Sequence, residues 1–439
     1  MINFPANKIR TALLQRKLKV ILSKPFIGLL LTGWGFSHAL MAQSADGWRA
    51  SSQTIEKLSK EKPEINYYEE KVPPYNLPDV LTAVNRKKIT TATRWMNLRR
   101  PEILELFREN VHGRVPATPY QTSFRVINLD TTAINGTATF KQVAITIIAE
   151  GQSLIIHLNL FTPNNAGQPV PTFLLINNRG LANMDQSRKV KSEFWPVEEG
   201  IARGYGMAVF NNADVDPDNF DEFKNGVHGL LDKLPRTGDA WGTIAAWAWG
   251  ASRCLDYLVT DRDIAGDKVA VVGHSRGGKT ALWAGAEDTR FAMVISSCSG
   301  NLGSSIARRH YGETIRKTNA GFPHWFSSNL KKFNDNENAL PVDMHMLLAL
   351  TAPRALYISC AGEDLWADPY GSYLALYHAV PVFNLLGAKS TIAIVMPSFN
   401  KQTLSGKVGF HIRDGIHNMV LEDWKKFMDF ADAIFGRKL

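Results

Sequence analysis

Ser275 stands in Gly273-His274-Ser275-Arg276-Gly277, and its flanks make it a candidate nucleophile. Before it runs Val269-Ala270-Val271-Val272, a β-branched stretch bounded by turn residues that fits a buried strand. After it, Lys279 to Ala286 is rich in helix formers. Strand, G-x-S-x-G turn and helix in that order are what a nucleophile elbow requires. Such a turn forces strained angles on the serine, and glycines at 273 and 277 let strand and helix approach closely. The hydroxyl is then exposed at the carboxyl edge of a sheet, in front of a helix N-terminus with free N–H groups and a partial positive charge. G-x-S-x-G by itself recurs by chance as a plain strand-to-helix loop; the flanks favour chemistry here.

Acyl transfer by a serine also needs a base, an acid that orients it and an oxyanion hole. In a parallel sheet of this kind, acid and histidine follow the serine along the chain, each after its own strand. Asp364 follows the strand predicted at Ala355 to Cys360 and is the expected acid, with Glu363 the near alternative. Asp368, just before Pro369, reads as a structural turn residue. His417, in Arg413-Asp414-Gly415-Ile416-His417, lies just before the closing helix and is the expected base, with His411 the runner-up on the same loop. One oxyanion donor is the backbone N–H of Arg276, and a second is expected around Arg179 and Gly180. The Arg276 guanidinium beside the nucleophile would stabilise a developing oxyanion and attract an acidic substrate. The alternative is an arginine tied to a nearby carboxylate for structure.

The elements that must hold these groups read as follows. Residues 45–62 form a polar, loosely packed lead, and 66–79 an extended segment on a surface. Residues 90–111 carry apolar positions at helical spacing, with Pro101 an expected interruption. Ser123 to Leu129, Thr137 to Ile148 and Ser153 to Leu160 read as antiparallel strands, the last two joined by a hairpin at Glu150-Gly151-Gln152. Strands and helices then alternate. Strands are expected at Pro171 to Asn177, Gly206 to Phe210, Met293 to Cys298, Ala355 to Cys360 and Thr391 to Met396, and helices at Trp241 to Leu258 and Leu421 to Phe435. The pattern implies an α/β-hydrolase fold, a three-layer αβα sandwich with a mostly parallel central sheet. Segment 299–350 reads as an insertion that caps the site.

The 439 residues carry a net charge of +9. Residues 1–42 hold six Lys/Arg and no acid, then an apolar stretch from Pro25 to Ala42, which describes a signal peptide cleaved after Ala42. Removing those six charges from nine leaves +3, so the basic balance is largely a targeting signal and nucleic acid is not an expected partner. Residues 43–110 are then a lead packed on a catalytic domain at 111–439. A secreted or periplasmic monomer without a lasting membrane anchor is expected. Cys254, Cys298 and Cys360 are too few for a disulfide framework; a Cys298–Cys360 bridge is conceivable, but free thiols are favoured. No H-E-x-x-H or C-x-x-C occurs, so neither metal nor cofactor is expected. His310 and His324 have no spaced partner and default to surface or packing roles.

Gly273-His274-Ser275-Arg276-Gly277-Gly278-Lys279 resembles the G-[CH]-S-R-x-G-K signature of the glucuronoyl esterases, carbohydrate esterase family fifteen. Arg100 to Phe107, Phe291 to Gly300, Arg308 to Glu313, Phe322 to Phe326, Glu363 to Pro369 and His411 to His417 are similar to stretches of bacterial members, so the resemblance covers roughly residues 65 to 439. It implies hydrolysis of 4-O-methyl-glucuronic acid esters on xylan, lignin-carbohydrate esters included, by Ser275 and His417 with Arg276 assisting the oxyanion. It also implies that Lys279, Glu313 and Trp366 contact the uronate. Trp325, in the Phe322 to Phe326 stretch, is a further candidate for the sugar site. For Trp366 and Trp325, core packing is the competing reading. In one respect the chain departs from many members. Where they carry glutamate in a motif ending E-S-G, it has Cys298-Ser299-Gly300, which leaves the acid's role to Asp364.

Overall fold

The structure, a computed structural model, describes residues 47–437, and the leader expected at 1–42 lies outside them. Its organising element is a sheet of ten strands: β1 (Gln121–Ala133), β2 (Ala138–Ala149), β3 (Gln152–Pro163), β4 (Val170–Asn177), β5 (Gly206–Asn211), β6 (Ile264–His274), β7 (Met293–Ser297), β8 (Ala355–Ala361), β9 (Thr403–Ser405) and β10 (Val408–Arg413). They lie side by side in the order β1-β2-β3-β5-β4-β6-β7-β8-β10-β9. The central run from β5 to β10 is parallel, and the pairs β1–β2, β2–β3, β3–β5 and β9–β10 are antiparallel. The expected hairpin joins β2 to β3, with Ala149 opposite Gln152 and positive φ at both Glu150 and Gly151.

The central strands are apolar at both parities because both faces are covered. Leu174, Val271 and Leu356 enter one hydrophobic cluster, with Trp247, Trp283 and Phe383 from helices Thr243–Leu258, Arg276–Glu287 and Pro369–Leu385. Their neighbours Phe173, Val272 and Tyr357 enter a second, with Ile201, Trp424 and Phe427 from helices Val197–Ala202 and Leu421–Phe435. This is the three-layer αβα arrangement of an α/β-hydrolase. Trp48, Tyr67, Trp95 and Phe107 belong to the first cluster, so these rings anchor the described part of the lead on that side of the sheet.

The lead, expected polar and loosely packed, holds a helix, Ser52–Glu61, which Ser51 starts by accepting from Thr54 N at 3.0 Å; none of its residues is buried, and Ile55 and Leu58 rest half-buried on the core. Three expectations need correction. Pro101 does not interrupt the helix spanning 92–112. A wide π turn at Trp95–Arg99 directly precedes it, a local widening of the helix where the proline lacks an N–H. The helix behind Ser275 begins at Arg276, and the helix formers at Lys279 to Ala286 lie within it. The last parallel strand is Val408–Arg413 and not Thr391–Met396. Residues 391–396 lie outside the sheet, and the carbonyls of Ala393 and Val395 face the Tyr373 hydroxyl. His411 therefore sits inside a strand, fully buried between Tyr357 Oη (2.9 Å) and Asp423 Oδ1 (2.8 Å), and is not on the loop with His417.

Candidate active site

The elbow is built as its sequence requires. Ser275 has φ 59° and ψ −127°, between β6 and the helix that starts at the next residue. A Cβ on Gly273 would lie 1.9 Å from Gly277 O, so only glycine permits this crossing of strand and helix. Gly278 N and Lys279 N both bond back to Ser275 O. The N–H of Arg276 is left among the helix's unpaired leading donors.

His417 reaches this turn from the loop between β10 and helix Leu421–Phe435, and Asp364 from the end of β8. Ser275 Oγ is 2.9 Å from His417 Nε2, and His417 Nδ1 is 2.5 Å from Asp364 Oδ2. The bonding pattern assigns the tautomer: Nδ1–H donates to the carboxylate and leaves Nε2 to accept from the serine. The Asp364 carboxylate is almost fully buried, whereas the imidazole is 38% exposed and open to a reactant. The loop is held by guanidinium groups. Arg413 donates to Ile416 O (2.8 Å) and Asn418 O (2.7 Å) and is itself fixed by Asp423. Arg179 donates to Asn418 Oδ1 at 2.7 Å and reaches His417 O. Hydroxyl, imidazole and carboxylate in this order can deprotonate an attacking serine and return the proton to a leaving group.

Ser275 and His417 open into a cavity of about 210 Å³, lined also by Arg276, Lys279, Cys298, Glu313, Phe322, Trp325 and Trp366. Every substrate-binding candidate from the sequence thus meets the hydroxyl in one place. Lys279 Nζ and Glu313 Oε2 form a buried pair 2.7 Å apart, extended by Thr318 Oγ1 to Glu313 Oε1 and by the contact of Lys279 with Asn301 O. Burial lowers the Lys279 pKa, against the opposing pull of Glu313. Trp325 is stacked on Phe322 at 3.8 Å. Trp366 is covered by Lys62 Nζ at 4.4 Å from its ring centre, and its backbone O accepts from Glu313 N.

The Arg276 guanidinium contacts Asp218 Oδ2 and lies 4.8 Å from the Trp325 ring centre and 5.1 Å from that of Phe322. The carboxylate partner weighed in the sequence reading is therefore present, and Arg276 lines the cavity all the same. Asp218 was not legible beforehand. It is one of several acids in Asp214-Val215-Asp216-Pro217-Asp218-Asn219-Phe220-Asp221-Glu222, where nothing local distinguishes it. His324, expected in a surface or packing role, is its partner at 3.0 Å. Of the two positions expected to supply a second oxyanion donor, Arg179 and Gly180, the first is taken: Arg179 N donates to Asn177 Oδ1 at 3.2 Å, because the side chain closes a local turn.

Cys298, at the position where the E-S-G motif would place a glutamate, is buried with φ 48°, its Sγ 3.9 Å from Asn418 O. Burial holds its thiol well above the ordinary range, so it carries no charge to orient His417. All three cysteines are free thiols. Among the described residues, His274, Cys298 and His417 offer ligand atoms within 4.8 Å of one another. A cation there would meet Arg179 Nη2, 3.4 Å from His274 Nδ1, and would take the imidazole from its serine.

Residues 145–387 match the family model "Glucuronyl esterase, fungi". A curated carbohydrate esterase of an unknown prokaryotic organism is 40% identical over 399 residues, covering 84% of this chain and 91% of that protein. The 4-O-methyl-glucuronoyl methylesterase 1 of Wolfiporia cocos is 29% identical over 328 residues, 72% of this chain and 74% of that one. Among solved structures, the glucuronoyl esterase of Solibacter usitatus superposes with a TM-score of 0.79 at 38% identity, covering 84% of this chain and all of that one.

Proposed function

The chain belongs to the glucuronyl esterase family, and on that premise we propose that it is a secreted serine esterase cleaving (4-O-methyl-)glucuronic acid esters on glucuronoxylan, including those formed with lignin alcohols. The observation that carries this is the unbroken relay Ser275–His417–Asp364 opening into the cavity that holds the Lys279–Glu313 pair. An acetyl group has no ring hydroxyls for that pair to grip.

Ser275 Oγ attacks the carboxyl carbon of the uronate ester as its proton passes to His417 Nε2. Asp364 holds the imidazolium in place. The negative oxygen forms against Arg276 N–H and the Arg276 guanidinium. Collapse breaks the bond to the alcohol, which leaves with the proton from His417. Water, deprotonated by the same imidazole, then frees the uronate from Ser275. Lys279 and Glu313 bind ring oxygens, and Trp325 and Trp366 supply apolar walls. The reaction draws on no metal or cofactor. Residues 1–42 are the export signal, removed from a chain that works as a monomer. Among the described residues no helix is long and apolar enough to cross a membrane.

The test compares benzyl glucuronate with 4-nitrophenyl acetate. The enzyme should favour the glucuronate, and Ser275→Ala should abolish both activities. Lys279→Met should cut kcat/KM for the glucuronate by about tenfold or more and that for the acetate by no more than about threefold. A preference for acetate, with Lys279→Met acting alike on both, would instead indicate an acetyl xylan esterase or general carboxylesterase.

A further inference from the structure

We propose that Asp218 is a positioning residue for ester hydrolysis: it aims the Arg276 guanidinium at the oxyanion and locks that cation to the wall of the sugar pocket. The inference rests on the functional reading above, since it concerns the same reaction.

Arg276 is poorly placed to stay where it is by itself. It occupies the first turn of a helix, where the backbone dipole opposes a cation. Lys279 follows one turn later and brings a second positive charge. A free arginine also has many rotamers, and a donor that must be ordered during the reaction loses much of its effect. Asp218 meets each of these difficulties. Its Oδ2 takes Arg276 Nη1. Its Oδ1 accepts Trp325 Nε1 at 2.9 Å and faces His324 Nε2 at 3.0 Å. With Oδ1 fixed by two groups of the capping insertion, the carboxylate cannot turn, and Oδ2 is presented to Arg276 in one direction. The rings of Trp325 and Phe322 confine the other side of the guanidinium.

The carboxylate is suited to this. Burial works to raise its pKa, but the bonds from His324 and Trp325 and the charge of Arg276 outweigh burial and keep it lowered. The loop that bears it is anchored two residues earlier, where Asp216 accepts from Thr243 Oγ1 at 2.6 Å and from Trp247 Nε1, through its backbone O, at 2.8 Å. One carboxylate thus joins three parts of the molecule that meet nowhere in sequence: the loop after β5, the elbow helix and the insertion.

The experiment is a double-mutant cycle on the full enzyme, with benzyl glucuronate as substrate. Asp218→Asn should lower kcat by about ten- to a hundredfold while KM stays within about threefold. In an Arg276→Ala background the same change should cost less than about threefold, because the cation it aims is gone. If the asparagine variant does not fold, the cycle is run with Asp218→Glu, which keeps the charge and displaces the oxygens by one methylene. The same dependence on Arg276 is then expected. An unchanged kcat, a rise in KM alone, or a loss that multiplies in full with that of Arg276→Ala overturns the proposal. A wild-type enzyme inactive on benzyl glucuronate would overturn the functional reading instead. The cycle would then be run on 4-nitrophenyl acetate, which forms the same oxyanion at Ser275, with the same outcomes deciding for or against Asp218.

Discussion

At the scale of single residues, the partner of His417 decides between Asp364 and the position that Cys298 fills. A thiol at 298 cannot do what a carboxylate does for an imidazolium, and here it is both buried and held neutral. Asp364 lies 2.5 Å from His417 Nδ1. Asp364→Ala should therefore lower kcat by about 10³- to 10⁴-fold, the range for losing an orienting acid. Cys298→Ala should leave kcat within about threefold, since it removes only a cavity-lining sulfur. Steady-state kinetics of the two variants decide the matter, and the opposite ranking would move the acid's role away from Asp364. Asp364 was legible because it follows its own strand, and His417 because it stands just before the closing helix, although the strand expected ahead of it was misplaced. Asp218 was not legible, because its partners Arg276, His324 and Trp325 are separated from it by 58, 106 and 107 positions.

At the scale of elements, the elbow depends on two glycines with unequal tolerance. A Cβ at Gly273 meets backbone at 1.9 Å, whereas one at Gly277 finds its nearest atom, Ile176 O, at 3.2 Å. Gly273→Ala must push strand and helix apart and should cost about 3 kcal/mol or more in urea unfolding, with loss of fluorophosphonate labelling at Ser275. Gly277→Ala should cost about 1 kcal/mol or less and still be labelled. Glycine also explains the misplaced last strand. In Val408-Gly409-Phe410-His411-Ile412-Arg413 it weakens the local β signal, whereas Thr391 to Met396 reads as uninterrupted strand. Yet a Cβ at Gly409 would lie 2.3 Å from the Tyr357 ring, so the real strand needs the gap that disguises it.

At the scale of the whole molecule, burying histidines makes stability depend on pH. His112 is fully buried, stacked on Trp283 at 4.1 Å, with neither ring nitrogen bonded to another described residue. Burial first, and the charge of Lys279 second, lower its pKa from 6.5 to about 3. The unfolded chain therefore takes up this proton before the folded one does. The stability from neutral His112 is whole above pH 6.5 and is lost as pH falls toward 3, a cost on the order of 3 kcal/mol by pH 4. His112→Phe keeps a stacked ring without the titration. Urea unfolding at pH 7 and pH 4 should show the variant gaining on the wild type as the solution becomes acidic. A constant difference would mean that the imidazole is not held neutral. His228 and His345, each lowered to about 4 by burial, weaken both proteins in the same way and cancel in the comparison. The sequence alone determined the parallel sheet, the elbow and the order in which Ser275, Asp364 and His417 follow one another, because periodicity, turn chemistry and chain order are local or one-dimensional properties. Which strand closes the sheet, what aims Arg276, and how an insertion becomes a pocket wall were decided only by the fold. Each depends on atoms brought within bonding distance from far apart in the chain, where local pattern has no reach.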